Sequence, residues 1–406
     1  MNEGKQYIKF AGSTAIMPQE EKLEVANRKN QLTIGIPAEQ NPDERRIALI
    51  PEAVKLLTNH GHRILFQRGA GIPSHFSDHE FAESGAEVVE TIGEVYEADL
   101  ILKVAPPREE ELRYLKKGQS LFSVLQLRNH AKDWYQSLMT KKLTAVAFEY
   151  IQDKTGALPL LRSMSEIIGN LSMLIAAEYL CHPKYGNGTM LGGFPGVAPT
   201  EVVIIGSGNV AEYATRAALG MGCLVKIFDN SMYKLRILQN NVGQRLFTSA
   251  LQPNLIGEAL KTADVVIAAK HIQDGIAPCF ISEEMVRSMK KGAVIIDVSI
   301  DQGGCFETIK ATSHHDPVYQ VHGVTHYGVP NMASRVPRTA SISFSNFFMP
   351  LLLQIGESGG LENLLRINRA LAKGVYIYNG KLTNHDVSRL YGIPFSHLEL
   401  LMAAFY

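Results

Sequence analysis

Residues 201 to 229, EVVIIGSGNVAEYATRAALGMGCLVKIFD, leave this chain few choices of fold. An apolar run ends at Gly206 of a G-x-G-x-x-A pattern, a helical stretch follows, and a second apolar run closes on Asp229. Strand, tight glycine turn, helix and parallel strand form the first unit of a Rossmann sheet. In that unit Gly206 permits the turn, Gly208 lets the backbone approach a pyrophosphate, and Ala211 lets the helix pack closely on the strand. The N–H groups at the helix start, of Asn209, Val210 and Ala211, are then free to face the phosphates. Asp229 is placed to accept hydrogen bonds from adenosine ribose hydroxyls and to repel a 2′-phosphate, which favours NAD over NADP as the cofactor. Lys234, one turn into the next helix, either touches the ribose edge or lies on a solvated face.

The same rhythm runs through the rest of the chain. From Gln31 onward LTIGIP, RILFQRG, DLILKV, SLFSVLQL and LTAVAFEYI read as strands, separated by helical patterns such as PEAVKLLTNHG and AKDWYQSLMTKK. A second series runs from Glu201 through LVKIFD, DVVIAA and AVIIDVSI to YQVHGV. Strands alternating with helices argue for parallel βαβ units covered on both faces. Between the series a helix is predicted over Ser165 to Leu180, followed by the glycine-rich KYGNGTMLGGFPGVAPT, which has the composition of a hinge or crossing. After Asn331 the pattern turns helical through SISFSNFFMPLLLQIG, LENLLRINRALAKG and HDVSRLYG, and these predicted helices return to the first sheet. The expected class is α/β with two doubly wound parallel-sheet domains. A substrate domain of residues 31–160 plus 336–406 receives a Rossmann NAD-binding domain, residues 161–335, as an insertion. Residues 1–30 form an N-terminal extension in which PQEEKLEVANRK has helical composition.

Composition excludes several classes of function. With 406 residues, 46% of them hydrophobic, the chain can fill two cores. Forty basic residues balance forty acidic ones, so there is no basic reservoir for nucleic acid. No uninterrupted apolar run approaches the roughly 18 residues of a membrane span, and the first thirty residues lack the apolar centre of a secretory signal. Cys181, Cys223, Cys279 and Cys305 are far apart with no CxxC pair, which fits a cytoplasmic location. His314, His315, His322 and His326 have no compact ligand spacing, so no metal is expected. ADLILKVAPP places Lys103 inside an apolar strand. Either its stem packs while the ammonium reaches water, or it points inward at a strand's carboxyl end, where ligands of open α/β sheets collect.

IIDVSIDQGGCFET, residues 295 to 308, closely resembles the alanine dehydrogenase family. RRIALIPEAV, ILKV, GALPLL, MSEIIGN, MLGGFPGV, GVPNMASRVPRT and ALAKG are similar to that family's blocks in its order, across residues 31 to 395. The resemblance implies reversible hydride removal from L-alanine to NAD, leaving an imine that water hydrolyses to pyruvate and ammonium. It further implies that Arg46 and Lys103 hold the substrate carboxylate, the one strong handle on so small a zwitterion. Asp301 matches an aspartate beside nicotinamide and substrate, although spacing alone would equally make it a turn-capping carboxylate. Ser165, Asn331 and Met332 match cofactor contacts; without the family, Ser165 reads as a helix cap and Met332 as core. Members are commonly homo-oligomers, often hexamers, and the helices at 165–180 and 341–356 offer apolar faces for assembly.

One position departs from that pattern. Where the family has a histidine, after the strand following Lys103, this chain has Gln126. Glutamine can polarise a carbonyl but does not titrate near neutral pH, and general acid–base catalysis contributes about 10² to 10⁴ in rate. The proton must then pass through Asp301, a water held by Gln126, or His271 in the loop KHIQDG. His130 reads as a packed helix-face histidine. Three functions follow: an NAD-dependent alanine dehydrogenase, a relative acting on another amino or 2-oxo acid, or an NAD-binding protein whose turnover is impaired at Gln126. Retention of Arg46, Lys103 and Asp301 argues against the last, because charges at strand ends are costly to keep without a ligand.

Overall fold

A computed structural model describes residues 31–127, 130–270 and 279–404. The helix expected within residues 1–30 lies outside them. In chain order the first strands are β1 (Thr33–Ile36), β2 (Arg63–Gln67), β3 (Glu87–Val89), β4 (Leu100–Leu102), β5 (Ser120–Ser123) and β6 (Thr144–Ala147). Next come β7 (Glu201–Ile205), β8 (Leu224–Phe228), β9 (Phe247–Ser249), β10 (Val265–Ala268), β11 (Val294–Asp297), β12 (Val318–Val321) and β13 (Val324–Tyr327). The last two are β14 (Val375–Tyr378) and β15 (Lys381–Leu382). One sheet has the order β15-β14-β6-β5-β4-β1-β2-β3 and the other β12-β13-β11-β10-β7-β8-β9. The pairings are parallel except at one edge of each sheet, where β14 runs against β6 and β15, and β12 against β13.

The strands read as unbroken apolar runs because each sheet has a core on both faces. Ile64 and Phe66 of β2 enter one core and Leu65 the other. Val202 and Ile204 of β7 likewise part from Val203 and Ile205. In the first sheet the chain winds from β1 outward to β3 and then resumes on the other side of β1 with β4. The second sheet does the same around β7 and β10. Each reversal opens a crevice at the carboxyl ends of two neighbouring strands, the place where doubly wound sheets bind ligands.

The helix Pro159–Leu180 serves both sheets, with Leu160 and Met164 in a core of the first and Leu171 to Leu180 contributing to one of the second. It begins earlier than expected, with proline at a position that suits it. Ser165 therefore lies inside the helix, its hydroxyl donating to the Leu161 carbonyl at 2.8 Å, and caps nothing. By length and a mean hydropathy of 1.2 this helix is long and apolar enough to cross a membrane; its place in two cores accounts for that composition. At Gly169 a Cβ would stand 2.5 Å from the Val210 carbonyl oxygen, so the helix lies directly on Asn209–Gly220.

The C-terminal segment returns to the first sheet, although not as helices alone. Pro337–Glu357 packs against that sheet's core, and GVYIYNGKL then forms the β14–β15 hairpin. Asn379 and Gly380 turn it at φ 46° and 76°, the left-handed pair that a two-residue type I′ turn requires.

Candidate active site

The crevice between β1 and β4 holds the two expected cations. Lys103 follows β4 directly, and its side chain is 1% exposed, so it does not reach out to water. Its Nζ donates to both oxygens of Glu111, at 2.7 and 2.9 Å, and lies 3.7 Å from Glu39 Oε2. Glu111 also accepts from the Tyr96 hydroxyl and the Arg108 N–H. Arg46, on the loop after β1, is gripped by Glu44, with Nε 2.8 Å from Oε1 and Nη2 2.6 Å from Oε2. Its guanidinium lies 5.0 Å from the centre of the Phe344 ring, and Nη1 lies 3.7 Å from the Met164 sulfur. A guanidinium has five N–H groups and an ammonium three. The end of the Arg46 fork and one Lys103 hydrogen thus remain for a carboxylate ligand.

Three carboxyl groups, Glu39, Glu44 and Glu111, surround these two cations. Burial pushes Glu39 up to about 7, against the pull of Lys103 and with further upward pushes from Glu44 and Glu111. Glu39 Oε1 accepts the Val104 N–H at 2.6 Å, while Oε2 has no hydrogen bond among the described residues. Protonation of Glu39 removes one of the negative charges that an incoming carboxylate would otherwise meet in the crevice.

Gln126 stands past the end of β5 with a left-handed φ of 45° and an exposed side chain. Its backbone is held by Glu149, just beyond β6, which accepts the N–H of Leu125 at 2.6 Å and that of Gln126. Burial pushes Glu149 up to about 7. His130 stacks on Trp134 at 4.0 Å, and burial lowers it to about 4, so near pH 7 it is a neutral packed ring. His271 lies outside the described residues.

The second crevice, between β7 and β10, has the shape a pyrophosphate needs. Gly206 adopts φ 113°, and a Cβ there would stand 2.4 Å from the Ala269 carbonyl oxygen, so only glycine fits. Gly208 faces open space. The helix Asn209–Gly220 has no side-chain cap, which leaves the N–H groups of Asn209, Val210 and Ala211 for an anion. Asp229, 2% exposed, accepts from the Ser207 hydroxyl at 2.9 Å and the Ser231 N–H at 2.9 Å. It also accepts from Lys270 Nζ at 2.8 Å, a partner the sequence reading does not anticipate. Burial raises the Asp229 pKa, but these donors outweigh it and the carboxyl ends below its ordinary value. Lys234 is exposed in the first turn of Met232–Val242.

The two sheets meet through Asn331 and Asp301. Asn331 Nδ2 donates to Glu44 Oε2 at 2.9 Å. Asp301 is exposed to solvent on its turn; packing around the carboxyl raises it, and the Arg46 guanidinium and the Asn331 N–H draw it back. Asp297, fully buried, accepts the N–H groups of Ser299 at 2.8 Å and Cys305 at 2.6 Å and so fixes the turn that carries Asp301. Met332, 3% exposed, sits in a core of the second sheet, and Ser165 lies half-buried on its helix.

These buried acids give the fold an inverted acid response. Burial raises Glu149 to about 7 and Asp297 to about 6, against ordinary values of 4.5 and 3.8, so the folded state holds both protons more tightly. Their stabilising contribution is full below the unfolded values and is lost as pH climbs through the folded ones. Melting temperature should fall between about pH 4 and pH 7, with on the order of 3 kcal/mol lost per group. Glu149→Gln should flatten that slope, and a melting temperature that climbs with pH over the same range would rule out the assignment.

Two facing α/β units, one with paired cations at its switch point and the other with a glycine-floored cradle at its own, define a two-domain, dinucleotide-dependent dehydrogenase. The family profile "Alanine dehydrogenase/PNT, N-terminal domain" matches residues 35–168, and "Alanine dehydrogenase/PNT, C-terminal domain" matches residues 172–385. The chain is 39% identical over 373 residues to an alanine dehydrogenase of Mycolicibacterium smegmatis, covering 92% of this chain and all of that one. It is also 39% identical over 370 residues to an alanine dehydrogenase of Methanococcus maripaludis, covering 91% and 99%. A solved L-alanine dehydrogenase superposes with a TM-score of 0.83 at 36% identity, covering 89% of this chain and 99% of that one. A transhydrogenase from Sinorhizobium meliloti shares the fold, with a TM-score of 0.74 at 23% identity, covering 87% and 99%. The chain belongs to the alanine dehydrogenase/PNT family.

Proposed function

We propose that this chain catalyses the reversible, NAD-dependent oxidative deamination of L-alanine to pyruvate and ammonium, as a homo-oligomer in the cytoplasm. The observation that carries this reading is the placement of Arg46 and Lys103, each with N–H groups to spare, at the β1/β4 switch point opposite Asp301 of the second sheet. NAD supplies the hydride acceptor when bound. Arg46 and Lys103 take the substrate carboxylate and so fix which way Cα faces. Asp301, with its raised carboxyl, receives or returns the proton, and the Gln126 amide orients the carbonyl oxygen or a water. Residues 31–160 with 336–406 then form the substrate domain and residues 161–335 the cofactor domain. To the cofactor side we assign Ser165, Gly206, Gly208, Asn209, Val210, Ala211, Asp229, Lys234, Asp301, Asn331 and Met332. Leu161, Leu174 and Ile342 project exposed from the two longest helices and supply apolar surface for assembly. Gln126 also favours a second reading, a related enzyme for another amino or 2-oxo acid.

The test is NADH oxidation with pyruvate, with and without ammonium, by a sized preparation of the full chain beside Gln126→His. Turnover should need both substrates, the protein should elute as a multimer, and Gln126→His should gain about tenfold or more in rate. If neither protein consumes NADH with pyruvate and ammonium, while another 2-oxo acid supports turnover, the second reading replaces the first.

A further inference from the structure

Two tasks are assigned to a carboxylate at the position of Asp229: to receive ribose hydroxyls and to reject a 2′-phosphate. Rejection depends on an uncompensated negative charge. Here that charge is matched. Lys270 reaches from the end of β10 to place Nζ 2.8 Å from Asp229 Oδ1, the oxygen that also accepts the Ser231 N–H, while Ser207 takes Oδ2. Of the two ionic partners the cation is the more open, its side chain 22% exposed against 3% for the aspartate. A ligand entering the crevice therefore meets an ammonium first. Lys234, exposed in the first turn of the helix after β8, is a further cation in the segment that follows Asp229.

We propose that Lys270 sets coenzyme choice in this chain, neutralising Asp229 and offering its ammonium to a 2′-phosphate, so that the site takes NADP(H) as well as NAD(H). This rests on reading residues 201–229 as the dinucleotide site. With NADH the ammonium donates to a ribose oxygen. With NADPH it gains a charge-assisted bond to phosphate, about twice as strong as a neutral one.

The experiment is equilibrium titration of the full chain with NADH and with NADPH, followed by nucleotide fluorescence at fixed ionic strength. Displacement of NADH by adenosine 2′,5′-bisphosphate isolates the ribose end. The two dissociation constants should lie within about tenfold of each other in the native protein. Lys270→Met should weaken NADPH about 10- to 100-fold more than it weakens NADH. Lys270→Arg, which keeps the charge, should retain NADPH binding and guards against a folding defect in the methionine variant. Native protein that binds NADH at least about a hundredfold more tightly than NADPH overturns the proposal, as does a methionine variant that loses both equally. If native protein binds neither, the dinucleotide reading falls with it.

Discussion

Lys103→Met should cost this protein both its turnover and much of its stability. The ammonium it removes is the counter-ion of Glu111, whose side chain is 3% exposed, and stands near Glu39, whose side chain is 9% exposed. Breaking a buried pair from one side leaves an uncompensated charge and costs about 3 to 5 kcal/mol. Loss of the carboxylate handle should also reduce alanine oxidation by at least about a hundredfold, because a substrate of this size has little else to orient it. Calorimetry and steady-state rates separate the two effects once Glu111→Gln is added. The double variant should melt close to the native protein yet stay inactive. A single variant that melts normally and turns over with an unchanged KM would show that Lys103 holds neither the fold nor the substrate.

Gly206→Val should abolish NADH binding. The position combines φ 113° with an imagined Cβ that stands 2.4 Å from the Ala269 carbonyl oxygen and 2.8 Å from its carbon. Both neighbours are backbone at the end of β10, so the collision cannot be relieved by rotating a side chain. The turn must move, and with it the N–H groups of Asn209, Val210 and Ala211. We expect the NADH dissociation constant to rise by more than about a hundredfold, read by fluorescence titration. Sheet formation should survive, since Val202 to Ile205 keep both of their cores. Native affinity in this variant would mean that the dinucleotide binds elsewhere.

The parts of this site that are legible in the sequence are those set by local geometry. Gly206 and Gly208 follow directly on a strand and open a helix, so short-range rules place both, whereas Lys103 sits in an apolar run with two readings that the family resemblance separates. Their partners are harder to read. Glu111 stands in a run of three glutamates that looks like a solvated helix face. It turns inward because a short helix begins at Glu109, which brings its carboxylate to the Arg108 N–H and to Lys103. Lys270 and Asp229 are 41 residues apart and meet only because β10 and β8 flank β7. Glu149 reads as strand in LTAVAFEYI but lies past its end, where it holds the backbone of Leu125 and Gln126. The hairpin near the C-terminus carried a readable signal, Asn379-Gly380 between VYIY and KL, which the helical rhythm of the flanking segments obscures.

The return of the chain to its first sheet sets a timetable for synthesis. Asn379, beside β14, bonds to Thr144 of β6, 235 residues earlier. At roughly 5 to 20 residues per second, tens of seconds pass on the ribosome between the appearance of one and of the other. Through that interval the outer edge of β6 offers its amides and an apolar face to any passing strand. The substrate crevice takes final form only after the cofactor sheet has been made, and the last strands to be translated seal an edge exposed since the first third of the chain.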